Sequence, residues 1–166
     1  CPRCSESSQP SNHSTNGGDR HLRLDCVGPS EPVPCPSSKA HIQTSAVTGE
    51  GLDALRAEYE CECIQVDLSD VAATREKVAA AGRIDLLVNN AGVAILESFL
   101  ETTVEAFDLT MAINVRAAMI VSQVIARGMI ERGKGGAIVN VSSQSSMRAL
   151  NDHTAYCASK GALDQL

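Results

Sequence analysis

The chain has 166 residues, a formal net charge of −6 and seven cysteines. That length is enough for one domain with its own core, and the mildly acidic balance, with no basic stripe, speaks against nucleic acid as a partner. Residues 1–25 hold no continuous apolar stretch of the signal-peptide kind, and no apolar run approaches the ~18 residues that would span a bilayer.

Residues 1–45 are rich in Ser, Pro, Asn, Gly and Cys, and the hints of order at Leu22-Arg23-Leu24 and Val27 are not sustained. This composition predicts a low-order or aberrant segment, because it offers too little apolar area to offset the entropy of ordering. Cys1 and Cys4 form a ligand-like pair, but Cys26 and Cys35 supply no second close pair. No metal site is therefore expected. An odd number of cysteines without a secretory signal points to free thiols in a reducing compartment, the cytoplasm. The chain begins at Cys1, and on that ground it reads as a piece of a longer protein.

From residue 46 the pattern becomes orderly. Residues 52–59 read as a helix, and Cys61–Val66 as a strand ending at Asp67. Residues 70–82 read as a helix closing at Gly82. Ile84-Asp85-Leu86-Leu87-Val88 is a short, mostly apolar run, of the kind that forms a strand buried on both faces. Thr102-x-x-Glu105 is a capping box that opens a helical region running to about Arg132, and Gly133, Gly135 and Gly136 end it. Ala137–Val141 is the next buried strand, and residues 154–166 open a further helix. Strands alternating with helices predict an α/β fold with a doubly wound parallel sheet, in which residues 137–141 pair with 84–88.

The Ala137–Val141 strand ends in Ser142-Ser143, and Tyr156 and Lys160 follow, one helical turn apart. Residues at i and i+4 share a helix face. A lysine cation beside a phenol favours the phenolate, which suits the phenol to proton transfer to a carbonyl oxygen. The Ser143 hydroxyl can hydrogen-bond the same oxygen as negative charge builds on it. By itself a Tyr and a Lys at this spacing usually mean nothing. Here Asn89-Asn90-Ala91-Gly92 stands upstream, and Asn114 lies inside the long helical pattern.

In this order and spacing, Asn89-Asn90-Ala91-Gly92, Asn114, Ser143 and Tyr156-Cys157-Ala158-Ser159-Lys160 resemble the short-chain dehydrogenase/reductase family. Residues 52–166 are most similar to its group of dicarbonyl and keto-sugar reductases. The resemblance implies a partial NAD(P)-binding domain over 46–166 and an NADPH-dependent carbonyl reductase. It implies a small carbonyl substrate and, for a complete family member, a homo-oligomer built on the helices carrying Asn114 and Tyr156. It assigns catalysis to Asn114, Ser143, Tyr156 and Lys160. Cofactor contacts go to Asp67, Asn90, Ala91, Gly92, Tyr156 and Lys160, and substrate contacts to Ser143, Gln144 and His153. Asp67 reads equally well as a turn aspartate, and His153 as an exposed loop residue.

The family's Gly-rich phosphate turn has no match in the sequence: Val47-Thr48-Gly49 starts like it, but Asp53 and Leu55 stand where its later glycines belong. The expected fold is therefore a truncated sheet without its first two and its C-terminal strands, in which the strand before Asp67 has no neighbour linking it to the strand at 84–88. A second function follows from that truncation, a catalytically inactive piece that associates with full-length subunits through its long helices.

Overall fold

The computed structural model describes residues 41–42, 52–59 and 61–166. Cys1, Cys4, Cys26, Cys35 and the Val47-Thr48-Gly49 segment lie outside them. In chain order the elements are β1 His41–Ile42, α1 Leu52–Tyr59, β2 Glu62–Cys63, α2 Val71–Ala80 and β3 Leu86–Asn89. Then come α3 Val104–Met111, a π-helical segment Ala112–Ala117, α4 Ala118–Arg132, β4 Ala137–Asn140, a 3-10 turn Gln144–Ser146 and α5 Thr154–Asp164.

The described strands form two parallel pairs, β1 with β2 and β3 with β4. Leu86 pairs with Ala137 and Asn89 with Asn140, as the two apolar runs predicted. The hydrogen bonds from Ala137 N–H to the Asp85 carbonyl and from Val141 N–H to the Asn89 carbonyl extend the ladder at both ends. The other pair is a separate sheet, so among the described residues β2 has no neighbour linking it to β3, as expected. Its partner was not expected, since His41 pairs with Glu62 and Ile42 with Cys63. Two residues of the segment expected to lack order thus form a short strand. β2 is also shorter than the Cys61–Val66 run, although Cys61 and Val66 are both buried.

Local side-chain chemistry sets the helix starts. Asp70 caps α2 by accepting from the N–H groups of Ala72 and Ala73. α3 starts one residue later than the capping box suggested. Thr103 accepts from Ala106 N–H, while the Thr102 hydroxyl donates to the Ser98 carbonyl instead. α4 stops at Gly133, whose φ of +64° is the left-handed conformation that glycine adopts without a Cβ penalty.

The core lies on one side of the β3–β4 pair. Leu87 packs with Val78 of α2 and with Val121, Ile125 and Met129 of α4. The opposite face is open. Leu86 is 62% exposed, Val88 52% and Val139 48%. A mostly apolar run in a parallel strand is the pattern of burial on both faces, but among the described residues only the Leu87 face is buried. The helical stretch Val104–Arg132 is long and apolar enough to cross a membrane by length and composition. Half of its most apolar window is buried within the protein, and its buried Ile120, Val121, Ile125 and Met129 make it a core helix.

Candidate functional site

The site assembles where α5 crosses the π segment, the turn after β3 and the turn after β4. A π-helix widens the backbone by one residue per turn and is frequent at functional positions. Here the widening carries Asn114, which is 1% exposed. Its amide is used completely. Oδ1 accepts from Val93 N–H at 2.8 Å, while Nδ2 donates to the Val93 carbonyl and to Ser159 Oγ, each at 2.9 Å. Asn114 therefore pins the turn after β3 to helix α5.

On α5, Tyr156 and Lys160 lie on one face, with Lys160 Nζ 5.7 Å from the centroid of the Tyr156 ring. Lys160 is buried and donates to the Val141 carbonyl at 2.7 Å. Burial disfavours the charged amine and lowers its pKa, and nearby Asp164 works in the opposite direction. Gly92 closes the group from the other side. A Cβ at that position would lie 3.2 Å from Asn114 Oδ1 and 3.9 Å from Lys160 Nζ. The absence of a side chain there lets the backbone pass close to both.

Ser143 sits two residues beyond the carbonyl that holds Lys160. Its Oγ accepts from Ser145 N–H and donates to Ser145 Oγ, both at 3.2 Å. Ser146 Oγ closes the same turn on the Ser143 carbonyl at 2.8 Å. Gln144 opens that turn and is exposed. His153 stands edge-on to Tyr156, with ring centroids 6.1 Å apart. Its Nδ1 lies 2.6 Å from the Asn151 carbonyl. A carbonyl only accepts, so Nδ1 carries the proton, and in the neutral ring Nε2 is left as an acceptor.

The remaining assigned residues are spread more widely. Asn90 and Ala91 are half-buried in the turn leading to Gly92. Asp67 is exposed and accepts from Ser69 N–H at 2.8 Å, which is turn chemistry. Arg116, two residues after Asn114, donates to the Ser69 carbonyl and so ties the Asp67 turn to the π segment. Two participants escape the motif reading. Ser159, fully buried, accepts from Asn114 and donates to the Tyr156 carbonyl at 2.8 Å. Asn89 Nδ2 donates to Ser122 Oγ and Asn140 Oδ1, clamping both strand ends to α4. The spacing of Ser159 from Tyr156 was a usable signal, because i and i+3 are neighbours on a helix. Nothing in the sequence marks the Asn89–Ser122–Asn140 contacts, which join three separate elements.

Residues 38–166 match the family described as short chain dehydrogenase. An L-xylulose reductase of Mesocricetus auratus is 50% identical over 141 residues, covering 84% of this chain and 58% of that protein. An L-xylulose reductase of Homo sapiens is 51% identical over 128 residues, covering 76% of this chain and 52% of that one. A solved metagenomic short-chain oxidoreductase in complex with NADP superimposes with a TM-score of 0.67 at 33% identity, over 76% of this chain and 61% of that one. The chain thus spans somewhat over half the length of these curated relatives. With the family pattern covering the described fold and its site, the chain belongs to the short-chain dehydrogenase family.

Proposed function

We propose that this chain carries the proton-donating half of an NADPH-dependent carbonyl reductase of the L-xylulose reductase type, acting on keto-sugars and α-dicarbonyls. The observation that carries the reading is the buried Lys160 ammonium held against Tyr156, beside Asn114 and the side-chain-free Gly92. The identity to L-xylulose reductases supports the substrate class, and the NADP complex of a solved relative supports the cofactor.

The chain fits one end of such a cofactor. Gly92 leaves backbone room next to Lys160, whose ammonium is placed to hold a ribose hydroxyl. Asn90 and Ala91, in the turn leading to Gly92, and Asp67, after β2, are the further residues we assign to the cofactor. The sequence holds no match to the Gly-rich phosphate turn. The cofactor supplies hydride to the carbonyl carbon. Everything else falls to the chain. Tyr156 gives its proton to the carbonyl oxygen as charge develops there, and the Lys160 cation stabilises the phenolate left behind. Ser143 turns its hydroxyl from Ser145 toward the same oxygen and acts as an oxyanion donor. His153 Nε2 and the exposed Gln144 amide are placed to meet substrate hydroxyls. Asn114 holds the turn after β3 in register with α5.

A second reading, association with full-length subunits, is favoured by exposed apolar side chains on the long helical stretch, among them Val104, Phe107, Met119 and Ile130. In either case we place the chain in the reducing cytoplasm, consistent with free thiols at Cys61, Cys63 and Cys157, and in a homo-oligomer when complete. The test is NADPH oxidation by the purified chain with L-xylulose or a small α-dicarbonyl. Turnover that disappears in Tyr156→Phe supports the reductase. Absence of turnover, together with capture by a full-length relative, would put the association reading first.

A further inference from the structure

The buried hydroxyl of Ser159 joins two residues of the site, and its direction is fixed by the groups around it. Val93 N–H can only donate, so the oxygen of the Asn114 amide must face it. The Asn114 nitrogen then faces the Val93 carbonyl and Ser159 Oγ. Both amide hydrogens are spent, and Ser159 must accept one of them. Its own proton is therefore directed to the Tyr156 carbonyl, one turn back on α5. The result is one chain of hydrogen bonds from the turn after β3, through the π segment, to the backbone of Tyr156. Every link is 2.8–2.9 Å long, and Asn114 and Ser159 are 1% and 0% exposed.

We propose that Ser159 is a positioning residue: it takes up the second hydrogen of the Asn114 amide, whose orientation Val93 sets, and so fixes how the Tyr156–Lys160 face of α5 sits against the π segment. This rests on the reductase reading for its consequence in catalysis, but its structural content does not. Loss of the hydroxyl leaves one buried Asn114 hydrogen without an acceptor, and this costs more than the loss of an exposed bond. Val93 still sets which way the amide faces, but the link from it to α5 is broken. Ser159 touches no reacting atom. Its effect on chemistry passes through Asn114 and through the placement of Tyr156.

The test uses the full chain labelled with 15N. Hydrogen exchange is followed at the Asn114 side-chain amide and at the backbone of Ile120 and Val121. In Ser159→Ala, Asn114 amide exchange should accelerate by roughly tenfold, the scale of one buried hydrogen bond, while Ile120 and Val121 exchange as before. Ser159→Thr, which keeps the hydroxyl, should restore the slow rate. A general acceleration at all three sites would show that Ser159 merely supports the fold, and an unchanged Asn114 rate would show that the bond is immaterial. Either result overturns the proposal. If Ser159→Thr does not fold, the contrast between Asn114 and the two core amides in Ser159→Ala still decides. In the reductase assay Ser159→Ala should lower kcat roughly tenfold with little change in KM, as for a group acting through the transition state. A wild-type chain without turnover would remove the reductase reading and leave the exchange result to decide the role of Ser159. A variant with normal kcat in an active chain would overturn the catalytic part of the proposal and leave the reductase reading standing.

Discussion

The two ends of the proposed cofactor path are held in opposite ways. Around Lys160, buried side chains of α5 and the π segment bond to one another and to backbone groups of two strand-end turns, across up to 45 residues of sequence. Around Asp67, the carboxylate turns back on Ser69 two residues away, β2 is two residues long, and an exposed arginine, Arg116, donates to the Ser69 carbonyl. A site built from long-range buried contacts is fixed in geometry before ligand arrives. One built from local turn contacts leaves its geometry to be completed by whatever packs on it. The difference predicts where the chain resembles a working enzyme and where it does not.

The largest expected effect concerns the well-held end. Tyr156→Phe should lower carbonyl reduction by about 10²–10⁴-fold, the range for loss of a positioned general acid, with cofactor affinity nearly unchanged. Ser143→Ala should follow at about 10²–10³-fold, the scale for one oxyanion donor. Steady-state rates on the chain, or on a version completed with a Gly-rich turn, check both. A Tyr156→Phe variant that kept most of its activity would end the reductase reading. At the loosely held end the prediction is the reverse. NADPH should bind weakly, because the sequence supplies no phosphate-cradling turn, and Asp67→Ala should change that weak affinity little. Micromolar binding by cofactor fluorescence would show that the contrast between the ends is wrong.

Core substitutions sharpen the comparison in stability terms. Ile120 is 2% exposed in α4. Ile120→Ala should destabilise by about 2–5 kcal/mol, as for a buried aliphatic residue cut to Ala. Asp70→Ala, which removes the α2 cap close to the Asp67 turn, should cost only about 0.5–2 kcal/mol. Urea titration of both variants measures the gap. Similar costs would mean that the Asp67 end is as tightly built as the Lys160 end.

How much of this could be read in the sequence divides along the same line. The shared α5 face of Tyr156 and Lys160 was legible because it depends only on spacing within one helix, and the place of Ser143 because it follows an apolar strand run. The β3–β4 pairing was legible because two short apolar runs flank a long helical connection. The π segment was not. Its extra backbone width at Asn114 comes from tertiary packing, and no residue of Ala112–Ala117 announces it. Nor was the open sheet face, since Leu86 and Val88 are the same residues whether or not a second layer covers them. The β1–β2 pair was hidden because His41–Ile42 lies in polar, proline-rich surroundings with no strand pattern. The start of α3 slipped by one residue because two adjacent threonines were equally good caps, and the contact of Thr102 with Ser98 decided between them.

The smallest effect tests the burial that makes Lys160 unusual. Its folded-state pKa lies below the ordinary 10.5, chiefly because burial penalises the ammonium, with Asp164 offsetting part of that penalty. The unfolded chain therefore binds more protons at this position than the folded one between the lowered value and 10.5. Stability must rise with pH across that window, since its slope follows the protons held by the unfolded state minus those held by the folded state. Below the window both states carry the charge, and the folded protein bears the whole cost of burying it. Lys160→Met removes the titrating group. Near neutral pH the variant should be no less stable than the wild type in spite of losing the bond to the Val141 carbonyl. As the pH climbs toward 10.5, the wild type should gain on the variant. Urea midpoints for the two proteins, compared at matched pH values, show this directly. If the wild type instead lost ground to Lys160→Met with rising pH, the ammonium would be stabilised rather than strained by its site. The Lys160 end would then owe its rigidity to charge pairing, as surface turns do, and the contrast with Asp67 would rest on hydrogen bonding alone.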